Sequence, residues 1–517
     1  MGSKLRIVRK GLLGAGLGIG ALYAWDQTFN RRALSRTGYA IYNATLLGID
    51  YELNFREGCD IDALHLRNAN RLYNVIVQNA GLYVKIGQSI AVQGNMLPLP
   101  YRTLLSRLFD DAPQDLWEDS LDTLRAGIGR DPAEVFSSIS PKAVASASIA
   151  QVHKGVLRST GEEVAIKIQH SDIPVSSFWD LNTYKAIMWV FDKLVFKMPM
   201  YFAATYITDQ VRQETDFRIE KRNAETMRGL IEADPETRGK IYVPKMHADL
   251  CSERVLVMEW IEGASLSRKD QVEAAGYNVK QALTNVFKIL TKEAFEWGVV
   301  HSDPHPGNWI LRPNPRAPKQ QQLVMIDHGL YVYMSETLRL QYGQLWRAIF
   351  RKDLPEITRI TKEWGFGDAK LFASATMLQP YDDDMAAPNR NRDFQQQEKI
   401  AKRFQSFLKD TTRVPLSLIF VGRTQRILQN LNQLYGSPVN RMRILVEEAL
   451  KLDVDQLRGD WRKPVLTRVV DWIYRRILIF VADLVFWTLQ IRQLFTKEDP
   501  EAALEESIQS NSGALLK

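Results

Sequence analysis

Two short segments carry the residue types that could do chemistry: His301-Ser302-Asp303-Pro304-His305-Pro306-Gly307-Asn308 and, after an apolar strand-like run, Asp327-His328-Gly329. An Asp followed five positions on by an Asn, with a second Asp opening a D-x-G turn, is the arrangement that phosphoryl transfer uses. Asp303 would orient or deprotonate the acceptor. Asn308 and Asp327 would hold Mg²⁺ against nucleotide phosphates, since magnesium prefers such oxygen ligands and a near-octahedral shell. Taken alone, the Asp303–Asn308 spacing also fits a turn with a satisfied Asp. The elements that must position these residues argue against that reading.

Those elements follow in the order found in protein kinases. Val164-Ala165-Ile166-Lys167 is a β-branched strand ending in a Lys, as expected where a Lys reaches the α- and β-phosphates of ATP. Val255 to Gly263 reads as a buried strand running into a polar linker. That is the pattern of a hinge, with Met258 behind the adenine and the Glu259 to Ile261 backbone bonding the base. Between these two strands, Glu214-Thr215-Asp216-Phe217-Arg218-Ile219-Glu220 lies in a charged helical stretch. Glu214 and Glu220 are both candidate ion-pair partners of Lys167; a solvated acidic face is the plain alternative for either.

The departures from an ordinary kinase are equally informative. Where a Gly-rich loop should precede the Lys167 strand, the chain has Ala143-Val144-Ala145-Ser146-Ala147-Ser148-Ile149-Ala150, with no glycine. Alanine does not enter positive φ cheaply, so Ala145, Ser146, Ala147 and Ser148 are expected to form a stiffer phosphate loop. Upstream, Lys85-Ile86-Gly87-Gln88 falls in an apolar-periodic helix, with Lys85 and Gln88 on one face. Gly87 is costly in a helix and suggests close approach to another backbone.

Together these motifs resemble the UbiB family of atypical, protein-kinase-like proteins, the aarF-domain-containing kinases. Asp327-His328-Gly329-Leu330-Tyr331 is most similar to the aarF-domain-containing kinase 1 group and its fungal counterparts. The resemblance spans roughly residues 60 to 450. It implies an α+β, bilobal kinase-like fold whose helical N-terminal extension lays Lys85 and Gln88 over the active site, gating access to it. It also implies ATP and Mg²⁺ binding, little phosphorylation of proteins in trans, and ATPase-like activity tied to mitochondrial lipids and a coenzyme Q-related small molecule. Matching the family's Glu-x-Asp motif favours Glu214 as the partner of Lys167, with Lys85, Gln88, Lys167, Glu214 and Asp303 as the catalytic set.

Composition frames these motifs. A chain of 517 residues, 45% hydrophobic and 25% charged, is globular and long enough for two or three packed units. Cys59 and Cys251 make no disulfide framework and no metal-binding spacing. Of the formal charge of +7, the first 40 residues carry +6, from Lys4, Arg6, Arg9, Lys10, Arg31, Arg32 and Arg36 against Asp26. The remainder is close to neutral, which gives no support to a basic nucleic-acid groove. The basic segment flanks an uncharged run from Gly11 to Trp25, which as a helix would span about 22 Å at roughly 1.5 Å per residue. We expect an uncleaved, short transmembrane helix in the mitochondrial inner membrane, with snorkelling Arg9 and Lys10 making up the length. Its positive flank favours the matrix side, which would put the body in the intermembrane space. Gly14-x₃-Gly18 and Gly16-x₃-Gly20 would let two such helices pack as a homodimer.

The expected organisation is a basic flank and anchor over 1–26, a helical extension over 27–139 and a kinase-like N-lobe over 140–262. A C-lobe over 263–495 and a disordered tail over 496–517 complete it. Around Ile310 and Val324 the pattern predicts hairpin strands joined by a basic, polar surface turn from Pro313 to Gln322. Residues 380–398 read as a solvated loop. Ile477 to Leu489 reads as a helix buried in the C-lobe or lying on a membrane surface. Two other functions compete with the kinase-like ATPase. One is a metal-dependent hydrolase using His301, Asp303, His305, Asp327 and His328, although His305 also suits a structural brace. The other is a nucleotide-binding pseudokinase that acts as a scaffold or lipid-binding protein.

Overall fold

The computed structural model describes residues 20–92, 98–109, 114–196, 201–377 and 413–458, with scattered positions from 473 to 491. The chain divides into two compact units: residues up to Asp216 together with Ser252–Val255, and Phe217–Cys251 together with Leu256 onward.

The first unit starts from amphipathic helices α1 (Ala33–Asn54), α2 (Ile61–Asn79), α3 (Gly81–Val92), α4 (Leu99–Leu105), α5 (Trp117–Ile128) and the single turn α6 (Pro132–Val135). Asp60 caps α2 by accepting the Ala63 N–H at 2.9 Å, satisfying one of the amides that a helix start leaves open. α5 ends at Gly129, whose φ of 70° takes the left-handed conformation that side chains resist. Apolar residues of these helices meet in a core of Ala40, Val75, Ile76, Tyr83, Leu105 and Leu108.

Strands β1 (Phe136–Ile139), β2 (Ala145–Ser146), β3 (Ala150–Leu157) and β4 (Glu163–Gln169) follow. β3 pairs antiparallel with β1, β2 and β4. Val152 lies opposite Ala145 on one side and Lys167 on the other. Directly opposed residues share a face of the sheet, so Ala145, Val152 and Lys167 line up on one face. Helices α7 (Ile173–Val190) and α8 (Tyr201–Glu214) complete the unit.

The second unit opens with α9 (Phe217–Ala233), β5 (Ile241–Tyr242) and, from Leu256, most of β6 (Val255–Glu259). After β7 (Ala264–Ser265) and α10 (Lys269–Ala274) comes α11 (Val279–Lys292), capped by the Asn278 side chain. Gly298, at φ 67°, turns the chain into β8 (Val299–His301). β9 (Trp309–Asn314) and β10 (Ala317–Met325) form the expected hairpin, in a sheet ordered β5-β10-β9-β7. The strands continue through most of Pro313 to Gln322, and only Pro315–Arg316 is left as the turn. β11 (Tyr331–Tyr333) pairs antiparallel with β8.

Helices α12 (Glu336–Phe350), α13 (Leu354–Glu363), α14 (Ala369–Met377), α15 (Ser417–Leu434) and α16 (Arg441–Arg458) build the rest. Their core centres on Leu345, Trp346, Ile357 and Ile360, all fully buried. Ser335 and Asp353 cap α12 and α13 by accepting amides three residues on.

Most of the Gly11–Trp25 run, residues 380–398 and the tail beyond 496 lie outside the described residues. Residues 20–28 are helical, with Leu22, Tyr23 and Trp25 exposed. Among the described residues no helix is long and apolar enough to cross a membrane. Ile477, Phe480, Leu484 and Trp487 are helical and exposed, not buried in the body, while Asp483 pairs with Arg443 at 2.9 Å.

Candidate functional site

In the second unit, the turn after β8 and the turn after β10 are joined by one imidazole. His301 Nδ1 accepts the Asp303 N–H at 3.0 Å, and Nε2 lies 2.9 Å from the Asp327 carbonyl. A carbonyl only accepts, so the ring is the neutral Nε2–H tautomer. Burial holds its pKa below the usual histidine value, although Asp327 and Asp303 pull the other way. The His301 N–H is itself taken by Glu293, a carboxyl with no solvent exposure.

Around this joint, Asn308 Nδ2 donates to the Asp303 carbonyl at 3.0 Å, committing the amide nitrogen and leaving the side-chain oxygen as the ligand atom. The Asp327 carboxylate accepts the Gly329 N–H at 2.8 Å. The Asn308 carbonyl accepts the Ile326 N–H at 3.0 Å, tying the first turn to the strand that delivers Asp327. An amide oxygen and a carboxylate, set on two mutually bonded turns, are hard oxygen donors that fit Mg²⁺.

His328 explains why the D-x-G turn carries a histidine. The ring is fully buried, donates from Nε2 to the Met325 carbonyl at 3.2 Å and sets Nδ1 3.0 Å from the Tyr331 hydroxyl. Its own carbonyl accepts from Asn223 Nδ2 at 3.0 Å, so α9 is bonded to the turn. One turn earlier on α9, the buried Glu220 puts Oε2 3.8 Å from where a Cβ on Gly329 would sit. Two of the imidazoles that the metal-hydrolase alternative needs are already engaged. Both ring nitrogens of His301 and of His328 are in hydrogen bonds, and His305 Nδ1 accepts the Gly307 N–H. Among the described residues no group of three or more His, Cys, Asp or Glu is set to hold a metal ion.

Arg423, on α15, is a contact of the candidate site that motif reading missed. Its Nη2 lies 3.0 Å from Asp303 Oδ1, with the Arg side chain only 5% exposed. Next to it, Thr424 donates to the His301 carbonyl at 2.7 Å. No local pattern marks either residue, because the contact spans 120 positions of chain.

At the expected hinge, Met258 is buried and Glu259 ends β6. The Glu259 N–H is not available to a base: it bonds the Lys245 carbonyl at 2.9 Å. Its side chain is held by Tyr242 at 2.5 Å and Arg312 at 3.3 Å. Two residues on, the Ile261 N–H meets no acceptor among the described residues, which leaves it open to an outside acceptor.

In the first unit, Lys167 is half-buried on the sheet face that also carries Ala145. The turn between β2 and β3 is closed by Ala147 N–H bonding the Ala150 carbonyl at 2.8 Å. None of its residues has positive φ, so alanine sits there without strain. The N–H groups of Ser148 and Ile149 meet no acceptor among the described residues. Adjacent open amides of this kind make an anion-binding concavity.

Lys85 and Glu214, which the sequence assigned to separate tasks, are brought together. Lys85 Nζ is 2.6 Å from Glu214 Oε2, with side chains 12% and 6% exposed. Glu214 ends α8 and Asp216 lies in the break before α9, so the Glu-x-Asp motif is a helix junction and not a continuous helix. Gln88 donates to the Leu108 carbonyl at 2.8 Å, bracing α3 against the turn after α4. Gly87 is required by side chains rather than by a backbone: a Cβ there would lie 2.6 Å from Leu108 Cδ1 and 2.9 Å from Ile76 Cδ1.

The motif order and the two linked turns are those of an atypical kinase-like domain. Residues 107–361 match the ABC1 atypical kinase-like domain. An ABC1 family protein of Schizosaccharomyces pombe is 39% identical over 483 residues, covering 92% of this chain and 89% of that protein. The ABC1 family protein lscO of Purpureocillium lilacinum is 32% identical over 514 residues, 92% and 85% of the two chains. AarF domain-containing protein kinase 1 of Gallus gallus is 28% identical over 427 residues, 79% and 81% of the two. The chain belongs to the ABC1 family of atypical kinase-like proteins.

Proposed function

We propose that this protein binds Mg-ATP and turns it over as a membrane-associated ATPase or small-molecule phosphotransferase. The observation that carries the reading is the His301 bridge, which joins the turn bearing Asp303 and Asn308 to the turn bearing Asp327. Asn308 and Asp327 would hold Mg²⁺, whose chemistry is to neutralise charge on the transferring phosphoryl group. Lys167 binds phosphate oxygens. Ser148 and Ile149 supply open amides to the same anion, and the Ile261 N–H orients the base. Asp303, held by Arg423, orients water or a small hydroxyl acceptor. A carboxylate so paired is a positioning group more than a strong base, which fits weak phosphorylation of protein side chains.

The family resemblance supports a place in mitochondria and a role in lipid or coenzyme Q homeostasis. The uncharged Gly11–Trp25 run between basic residues supports an anchor in the inner membrane. ATP turnover by the full chain, with and without vesicles of inner-membrane lipid composition and against Asp327→Asn, tests the reading. Turnover that needs Asp327 and rises with lipid supports it. Nucleotide binding with no turnover above Asp327→Asn would move the assignment to a nucleotide-switched scaffold.

A further inference from the structure

His170 follows β4 directly, three residues after Lys167, and belongs to none of the motifs. Its ring is buried, and both nitrogens face oxygen. Nε2 lies 2.9 Å from the carbonyl of Ala147, at the tip of the β2–β3 turn. Nδ1 lies 3.1 Å from Asp115 Oδ1, within ion-pair distance. The Asp115 carboxylate is itself built in: its other oxygen accepts the Ser171 N–H at 3.0 Å, and its N–H bonds Gln151 at 2.8 Å. The His170 N–H bonds the Ile149 carbonyl at 3.0 Å, so the residue holds the turn at two points.

A carbonyl can only accept, so Nε2 carries a proton. A bare Nδ1 would set a lone pair against the Asp115 carboxylate, so the arrangement favours a proton on Nδ1 as well and with it the imidazolium. The other charges facing it are Asp172, at the start of α7, and Arg36 of α1, which is 3.4 Å from Asp172. The segment Ala147–Ile149 contributes no ionisable side chain.

We propose that His170 is a positioning residue for nucleotide binding: its charged ring, clamped by Asp115, grips the Ala147 carbonyl and fixes the Ser148 and Ile149 amides for phosphate. The inference rests on the reading that this turn cradles ATP. A stiff, glycine-free loop does not adjust itself to phosphate, so where its amides lie is set by what holds the turn from outside. Burial opposes the charged ring, but Asp115, the Ala147 carbonyl and Asp172 outweigh it and raise the His170 pKa above the ordinary value. The clamp is therefore complete at low pH and is lost as pH rises through that raised pKa.

The test is Mg-ADP affinity by calorimetry on the full chain, from about pH 6 to about pH 9, a span that brackets histidine titration. His170→Gln is the first comparison, because Gln can still donate to Ala147 but does not titrate. The nucleotide's own titration is common to both proteins and cancels. Wild-type affinity should fall about tenfold relative to His170→Gln across that range, the scale of one charge-assisted hydrogen bond. Parallel pH profiles in the two proteins would overturn the inference alone. Absence of nucleotide binding by either protein at every pH would overturn the ATP reading and this inference with it. Should His170→Gln fail to fold, ring-proton NMR of His170 in wild type and Asp115→Asn decides. A ring that titrates above the ordinary value and drops in Asp115→Asn supports the clamp, and one at or below that value refutes it.

Discussion

Replacing Arg423 with Gln should cripple turnover while leaving nucleotide binding nearly intact. At 3.0 Å the attraction between Arg423 and Asp303 is about 5 kcal/mol at an effective dielectric of about 20. Asp303 is 25% exposed, so solvent screens part of this. Removing one member of such a partly buried pair is expected to cost about 2–3 kcal/mol. If that energy holds Asp303 in its working orientation, turnover falls by about 30- to 150-fold. Neither Arg423 nor Asp303 is assigned a phosphate contact, so ADP affinity should stay within about twofold, and the loss should appear in kcat rather than KM.

The assay is steady-state ATP turnover in a double-mutant cycle with Asp303→Asn. If Arg423 acts only through Asp303, Arg423→Gln adds little once Asp303 is Asn, and Arg423→Lys restores part of the rate in the Asp303 background. A buried arginine with a purely structural role would behave otherwise. It would lower activity equally with Asp303 or Asn present, in step with a lower melting temperature. Full additivity would refute the reasoning.

Three further outcomes are expected. Gly87→Ala should destabilise the first unit by about 1–3 kcal/mol, because its Cβ would meet Leu108 and Ile76, and Leu108→Ala should restore part of that loss in urea denaturation. Lys85→Met takes a counter-ion 2.6 Å away from the buried Glu214 and should cost about 2–3 kcal/mol, with the Lys85→Met/Glu214→Gln pair less destabilised than the sum of the single variants. Glu293 is fully buried, and burial raises its pKa well above the ordinary value, opposed only by the His301 N–H, so the native state keeps a proton that the unfolded chain releases. Stability should then decline as pH rises from the unfolded carboxyl's pKa towards the native one. Glu293→Gln, which keeps the acceptor for His301, should flatten that decline in denaturation midpoints measured across pH.

Where chemistry and positioning sit close together in sequence, both could be read. Asp303, Asn308 and Asp327 lie on the two ends of one hairpin, β9–β10, and the apolar residues of that hairpin identify it as strand. Its outer half was read as a turn, because Pro318 to Gln320 are exposed and polar and give no period-two signal. The Lys167 strand was legible from its β-branched residues, and its alignment with Ala145 follows from the register. Contacts across long stretches of chain were not legible. Arg423 is one of two arginines on α15, with Arg426, and nothing local marks it. Glu214 and Glu220 were indistinguishable as acidic residues of one stretch, yet they belong to different helices: one meets Lys85 and the other faces the Gly329 turn. Gly87 was correctly read as a close approach, but its neighbours are side chains from elsewhere in the helical extension.

The histidines of the two site turns make one physical point about how this site is held. His301 and His328 are both fully or almost fully buried, and each is bonded at both ring nitrogens: His301 to backbone on either side, His328 to the Met325 carbonyl and the Tyr331 hydroxyl. A phenylalanine in the D-x-G turn could only pack, and packing tolerates small slides. A neutral imidazole with one donor and one acceptor fixes both the ring and the turns it joins, because each misplaced bond leaves a buried polar atom unsatisfied. Asn223 extends the same logic to α9, bonding the His328 carbonyl at 3.0 Å and the Tyr333 hydroxyl at 3.1 Å. The carboxylates that would face metal and acceptor are thus held by a hydrogen-bonded frame that runs through the motif itself. On this view, the residues between Asp303, Asn308 and Asp327 are conditions for the chemistry and not spacers, and a change at His301 or His328 should disturb the site as surely as a change at a carboxylate.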